Sequence, residues 1–296
     1  MGCNGYARSL TLNDKVIIGI HGLSNKADAE TLRAWWKAAM SEGLLRNCGV
    51  KSLDVDVELA YWADLMYPAP AVVSEMQEPY LPAEGEGPLP RARLSVGKLA
   101  AIRVQEGVGK VLEKLFGVPL AEEFISDALE ARMPDLHRYK HDWRALNAVR
   151  ARLIELLEVA QARGQQIMLM AHSMGSIVAY ETLREAWSTV PELEVAQFVT
   201  MGSPLGLAEV KEVVVGPLRV PECVARWSNF ADPRDRVCRW DTFLNDEYAA
   251  NSRGVTVSDH LIINGYVSPA GEPNPHKIYG YLRAPEMSDL LSGFVG

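Results

Sequence analysis

Short runs of apolar, often β-branched residues alternate along the chain with longer stretches in which apolar residues recur at helical spacing. That alternation predicts parallel strands joined by helices, an α/β architecture with a mostly parallel central sheet flanked by helices. The first run, Val16-Ile17-Ile18-Gly19-Ile20, ends at His21-Gly22 and is followed by a helix over residues 29–40 that carries Trp35 and Trp36. A second strand is predicted over 55–62, where apolar and β-branched residues alternate with Asp56 and Glu58. Further strands are predicted over 167–171, 195–201 and 224–230, with a weaker one over 261–263. Ahead of the third strand, Trp143, Leu146, Val149, Leu153, Leu156, Leu157 and Ala160 recur with the period of a helix. Asp142 is placed to cap its start, and Gly164 to end it.

The distance between the second and third strands exceeds what one crossover needs. Residues 68–90 are rich in Pro, Gly and Glu and read as loop. Beyond them lie two helical patterns, Val104, Val108, Val111, Leu112 and Leu115, then Phe124, Ile125, Leu129 and Met133. The division that follows is a core of residues 1–67 and 142–296 interrupted by an insertion, 68–141, of loop and helical cap over the C-terminal edge of the sheet. The same helices would serve as surface helices or as an arm for homodimerisation.

Hydrophobic residues make up 48% of the 296 and charged residues 23%, enough apolar material for a sizeable core. The formal net charge of -8, with no run of Lys and Arg, argues against a nucleic-acid partner. No apolar run approaches the ~20 residues of a membrane span, so no integral membrane segment is expected. The four cysteines show no paired CxxC spacing, and no basic segment leads into an apolar one near the start. A reduced, cytoplasmic setting is the simpler expectation, although Cys223 and Cys238 could bridge. His137 and His141 are four apart but lack the Glu of a zinc-protease helix. Gly107-Val108-Gly109-Lys110 lacks the spacing, the hydroxyl residue and the preceding strand of a phosphate loop. Neither a metal nor a cofactor is therefore expected.

Chemistry concentrates at Ala171-His172-Ser173-Met174-Gly175. It joins the end of the third predicted strand to a helix predicted over 176–187. A serine hydroxyl becomes a useful nucleophile when held exposed on a sharp strand-to-helix turn, beside a base and with backbone donors facing the developing oxyanion. Such a turn demands small residues two positions to either side, here Ala171 and Gly175, and the helix start favours negative charge.

In this segment the chain resembles the α/β-hydrolase superfamily of serine esterases and lipase-like enzymes, with Ala171 where the family's pattern usually has its first glycine. The resemblance covers residues ~14–64 and ~142–296. It implies that Ser173 is the nucleophile and that the loop His21-Gly22-Leu23 after the first strand supplies one oxyanion N–H. That N–H would be Leu23's, with Gly22 the alternative, and Met174's would join it. The family's chain order then puts an acid next and a histidine last. Asp235 and Asp232 compete for the acid, and Asp235, with Val237 two places on, fits the pattern better. His276 and His260 lie downstream, and His276 stands in a loop before a final helix, as the family has it. His21, which the family uses structurally, is expected around the substrate with Gly22, His172 and Ser203, the last from the turn Gly202-Ser203-Pro204. The implied function is hydrolysis of a small-molecule acyl ester or lipid through an acyl-enzyme. Thioester or amide hydrolysis, acyl transfer, or a binding protein without turnover remain as alternatives.

Overall fold

The computed structural model describes residues 14–93, 102, 142–190, 192–207, 210, 211, 214, 216–238 and 242–296. Six strands form one sheet: β1 (Lys15–Ile20), β2 (Asp56–Ala60), β3 (Gln166–His172), β4 (Val195–Met201), β5 (Trp227–Ala231) and β6 (Val257–Leu261). Every pairing is parallel, and the order is β2-β1-β3-β4-β5-β6. β1 lies between β2 and β3, so the winding reverses there. In α/β sheets ligands bind beyond the C-terminal ends of the strands at such a reversal, which here are those of β1 and β3.

The helices are α1 (Ala29–Cys48), α2 (Ala63–Met66), α3 (Trp143–Ala162), α4 (Met174–Thr189), α5 (Ile278–Leu282) and α6 (Pro285–Val295). They cover both faces. Ile18, Ile20, Leu169 and Ala171 pack with Val149, Leu153 and Leu157 of α3 and with Ile177 and Val178 of α4. Ile17, Met168, Met170 and Met201 pack on the opposite face with Trp36 and Met40 of α1, Leu282 of α5 and Leu291 of α6. Burial on both faces explains why these strands read as nearly continuous apolar runs.

The predicted caps are present. Asp142 accepts hydrogen bonds from the amides of Arg144 at 2.9 Å and Ala145 at 3.3 Å. Gly164 takes the left-handed φ of 66° that ends the segment. α1 runs past the expected 29–40 to Cys48, capped by Asp28 on the Thr31 amide at 2.9 Å.

Two strands are displaced from expectation. β5 begins at Trp227, because Val224 forms only an isolated bridge with Val195. β6 ends at Leu261, where the weak apolar run begins, rather than starting there. Its polar residue Asp259 is accommodated by donors from outside the strand: Asn229 Nδ2 at 2.9 Å and the amides of Leu244 and Asn245, each at 3.0 Å.

Residues 68–90, expected as loop, carry one 3-10 turn at Val73–Glu75, and the irregular stretch continues to residue 93. It lies as a strap against the helices of the second face. Tyr80 Oη donates to Glu42 at 3.1 Å, the Leu89 amide to Asn47 Oδ1 at 2.9 Å, and Arg91 pairs with Asp289 at 2.6 Å. The two helical patterns expected to form a cap or dimerisation arm lie outside the described residues, as do His137, His141 and Gly107-Val108-Gly109-Lys110. Cys48, Cys223 and Cys238 carry free thiols. Among the described residues, no helix is long and apolar enough to cross a membrane.

Candidate active site

At the end of β3 the chain turns abruptly into α4. Ser173 has φ 53° and ψ -132°, a strained conformation for a residue with a Cβ, and it persists because the surroundings over-determine it. The Ser173 amide donates to Met201 O of β4 at 3.0 Å, and the Ser176 amide donates back to Ser173 O at 2.9 Å. The loop after β1 presses on the turn. A Cβ at Gly175 would lie 2.7 Å from the carbonyl oxygens of Ile20 and His21, and one at Gly22 would lie 2.7 Å from Ser173 Cβ. Only residues lacking that atom let the two strand ends meet. Met174 is the first residue of α4, so its amide has no partner within the helix. Leu23 packs against the core that α4 faces, and Lys26 Nζ donates to the carbonyls of Leu23 and Ser24, folding the loop back on itself.

Two side chains from far along the chain meet Ser173. His276 Nε2 is 3.0 Å from Ser173 Oγ, and His276 Nδ1 is 2.8 Å from Asp235 Oδ2. Asp235 is fully buried, and its other oxygen accepts the Val237 amide at 2.9 Å. Tyr281 Oη donates to the same Oδ2 at 2.7 Å. Burial, with the Cys238 thiol and the Asp235 carboxylate nearby, pushes the Tyr281 phenol well above its ordinary range, so it remains a donor.

The competing carboxylate is occupied. Asp232 Oδ1 accepts the Arg234 amide at 2.8 Å, while Oδ2 takes Arg234 Nη2 at 2.6 Å and the Asn264 amide at 2.7 Å. His260 sits on β6, stacked on Phe230 with ring centroids 4.7 Å apart. The geometry brings together Ser173, His276 and Asp235, and leaves Asp232 and His260 elsewhere.

Three of the residues expected around the substrate are buried and bonded to backbone groups. His21 is 1% exposed: its Nδ1 donates to Gly22 O at 2.8 Å, its Nε2 accepts the Trp62 amide at 3.0 Å, and its ring stacks on Trp62. Burial and the charge of Lys26 lower its pKa to about 3, so it is a neutral structural ring. His172 is also buried. Its Nε2 donates to His276 O at 2.8 Å, which fixes the backbone of the neighbouring histidine instead of reaching a ligand. Ser203 is 2% exposed, and its Oγ accepts the Leu205 amide at 3.3 Å, capping the short turn Pro204–Gly206. Gly22, the fourth, lies against Ser173.

Sequence reasoning missed Tyr281. It sits in Ile278-Tyr279-Gly280-Tyr281-Leu282, where every residue is buried, so it reads as plain core. The available signal was its hydroxyl, because a buried tyrosine normally needs a hydrogen-bond partner. Among the described residues, no group of three or more His, Cys, Asp or Glu is arranged to hold a metal ion.

A family model described as "Lecithin:cholesterol acyltransferase" matches residues 135–215, a stretch that includes α3, β3, the turn at Ser173, α4 and β4. A search of curated proteins found no match. Among solved structures, one titled "Structure of an alpha-beta serine hydrolase homologue from Coxiella burnetii" is similar at 11% identity and a TM-score of 0.32, covering 96% of this chain and 86% of that one. A likeness that distant adds nothing to what the strand order already shows.

Proposed function

We propose that this chain, an α/β-hydrolase by fold, is a serine hydrolase that cleaves carboxylic esters through an acyl-enzyme. The observation that carries the reading is the continuous relay from Ser173 Oγ through His276 to the buried Asp235, at 3.0 Å and 2.8 Å, on a strained strand-to-helix turn. In this reading His276 Nε2 takes the Ser173 proton as Oγ attacks the acyl carbonyl. Asp235 receives the Nδ1 hydrogen, which fixes the tautomer and stabilises the imidazolium. The same proton then goes to the leaving alkoxide, and water attacks the acyl-serine with His276 again as base. The amides of Met174 and Leu23 are assigned to the oxyanion; the start of α4 contributes a favourable partial charge. A small acyl ester or lipid is the proposed substrate.

The match over 135–215 to a family described as an acyltransferase favours a second reading of the same site. There, an alcohol rather than water accepts the acyl group.

One experiment addresses both. Purified protein is assayed on p-nitrophenyl esters of graded chain length, with and without an added alcohol, and treated with a fluorophosphonate probe. Ester turnover and labelling are expected in the wild type, and Ser173→Ala is expected to lose at least about 10³-fold in kcat and all labelling. Alkyl ester product in place of free acid would favour transfer. Turnover unaffected by Ser173→Ala would sink the proposal.

A further inference from the structure

The strap touches both loops that border Ser173. At its start, Asn25 Nδ2 in the loop after β1 donates to Ala69 O at 2.9 Å, and the Ala71 amide donates to Lys26 O at 2.7 Å. Seven residues on, Glu78 meets the loop that carries His276. Glu78 Oε1 accepts from Asn274 Nδ2 at 2.8 Å, and Glu78 Oε2 lies 3.4 Å from Lys277 Nζ. Pro79 O accepts Tyr266 Oη at 2.6 Å, and Leu81 O accepts Arg283 Nη1 at 2.7 Å, so the anchor itself is fixed.

The contact with Asn274 has a consequence for His276. Asn274 Oδ1 accepts the His276 amide at 2.9 Å. A side-chain amide presents a donor on one side and an acceptor on the other, whereas a carboxylate only accepts. Glu78 therefore dictates which way the Asn274 amide faces: Nδ2 toward the strap, Oδ1 toward the His276 backbone. Reversing the amide would put two acceptors face to face at Glu78 and two donors at His276. Lys277, the residue after His276, is mostly buried with its ammonium 5.7 Å from the Tyr279 ring centre. Glu78 provides its opposite charge. One strap carboxylate thus touches both Asn274 and Lys277, which lie on either side of His276 in this loop.

We propose that Glu78 is a positioning residue for His276, acting through Asn274, and that the strap sets the geometry of the relay. This rests on the serine hydrolase reading. Glu78 touches neither Ser173 nor the reacting atoms. Its effect is on where the imidazole stands and not on how the substrate is held.

The test uses the full chain, a p-nitrophenyl ester and the fluorophosphonate probe. Glu78→Ala is expected to lower kcat by about 10- to 100-fold, with KM changed less than about 2-fold, because small misplacement of a catalytic group costs rate more than binding. Asn274→Ala should behave alike, and the double variant should be no worse than Asn274→Ala alone, as expected for two members of one chain of contacts. Glu78→Gln retains an acceptor for Asn274 Nδ2 and should recover most of kcat. Should Glu78→Ala not fold, the pair Glu78→Gln (active) and Asn274→Asp (impaired, two carboxylates facing) gives the same discrimination.

Wild-type kcat in Glu78→Ala, losses that multiply in the double variant, or an effect confined to KM would overturn the inference. If the wild type labels at Ser173 and Glu78→Ala is unimpaired, this inference fails alone. If the wild type neither labels nor turns over ester, the hydrolase reading fails and this inference with it.

Discussion

The two halves of the candidate site are made by different means. On the side of β1 and β3, backbone meets backbone: Gly22 and Gly175 stand where a single added carbon would strike Ser173 or the carbonyls of Ile20 and His21. On the side of β5 and the C-terminal loops, side chains meet side chains across 41 and 103 residues of sequence, through Asp235, His276 and Ser173. The first half is steric and nearly all-or-none. The second is a hydrogen-bonded chain in which each link has its own weight, and a nearby carboxylate can look equivalent without being so.

That contrast can be attacked where it is sharpest. Asp235→Asn should lower kcat by about 10⁴-fold with the fold intact, since the asparagine favours the wrong imidazole tautomer. Asp232→Asn, three residues away, should keep kcat within about 10-fold and lose thermal stability, because its partners are Arg234 and the Asn264 amide. Parallel kcat and unfolding measurements on the two variants decide it; equal losses of rate would erase the distinction.

The steric half is probed by Gly22→Ala. Its new methyl would meet Ser173 Cβ at 2.7 Å, and about a 10²-fold loss of kcat/KM is expected from displacing the nucleophile. A variant with wild-type probe labelling would show the contact to be compliant.

The smallest expected effect is on stability in acid. The His21 pKa is lowered to about 3, chiefly by burial, so the folded protein resists a proton that the unfolded chain accepts below the ordinary value of about 6.5. His21 therefore contributes stability that is complete above that value and falls away as the pH drops toward 3. The loss is at most about 1.4 kcal/mol per pH unit. Denaturant unfolding at a series of pH values, wild type against a His21→Gln variant, should show a weaker acid dependence in the variant.

What could be read from the chain follows the same division. The turn at Ser173 is contiguous: strand, small residue, serine, small residue and helix are all within one short segment, so local chemistry specifies it. Asp142 as a cap and β4 at Val195–Met201 were legible for the same reason. β6 was not, because Ser258 and Asp259 break its apolar pattern and Asp259 is stabilised by donors from outside its strand. Chain order admits both Asp232 and Asp235 and both His260 and His276, so the choice leaned on a resembling family's local pattern: Val237 two places after Asp235, and a loop before the final helix at His276. His21, His172 and Ser203 have polar side chains near the site but spend them on backbone groups, a commitment that appears only once distant segments are brought together.

The Ser173 amide is tied to Met201 O, and the Gly202 amide to Phe230 O, so three neighbouring strand ends stay laced beyond the sheet proper. The serine thus rides on a stiff frame, whereas the imidazole hangs from a loop held by side-chain tethers. On the proposed reading, the backbone lacing fixes the oxygen that gives up the proton, while side-chain bonds alone aim the ring that would carry it.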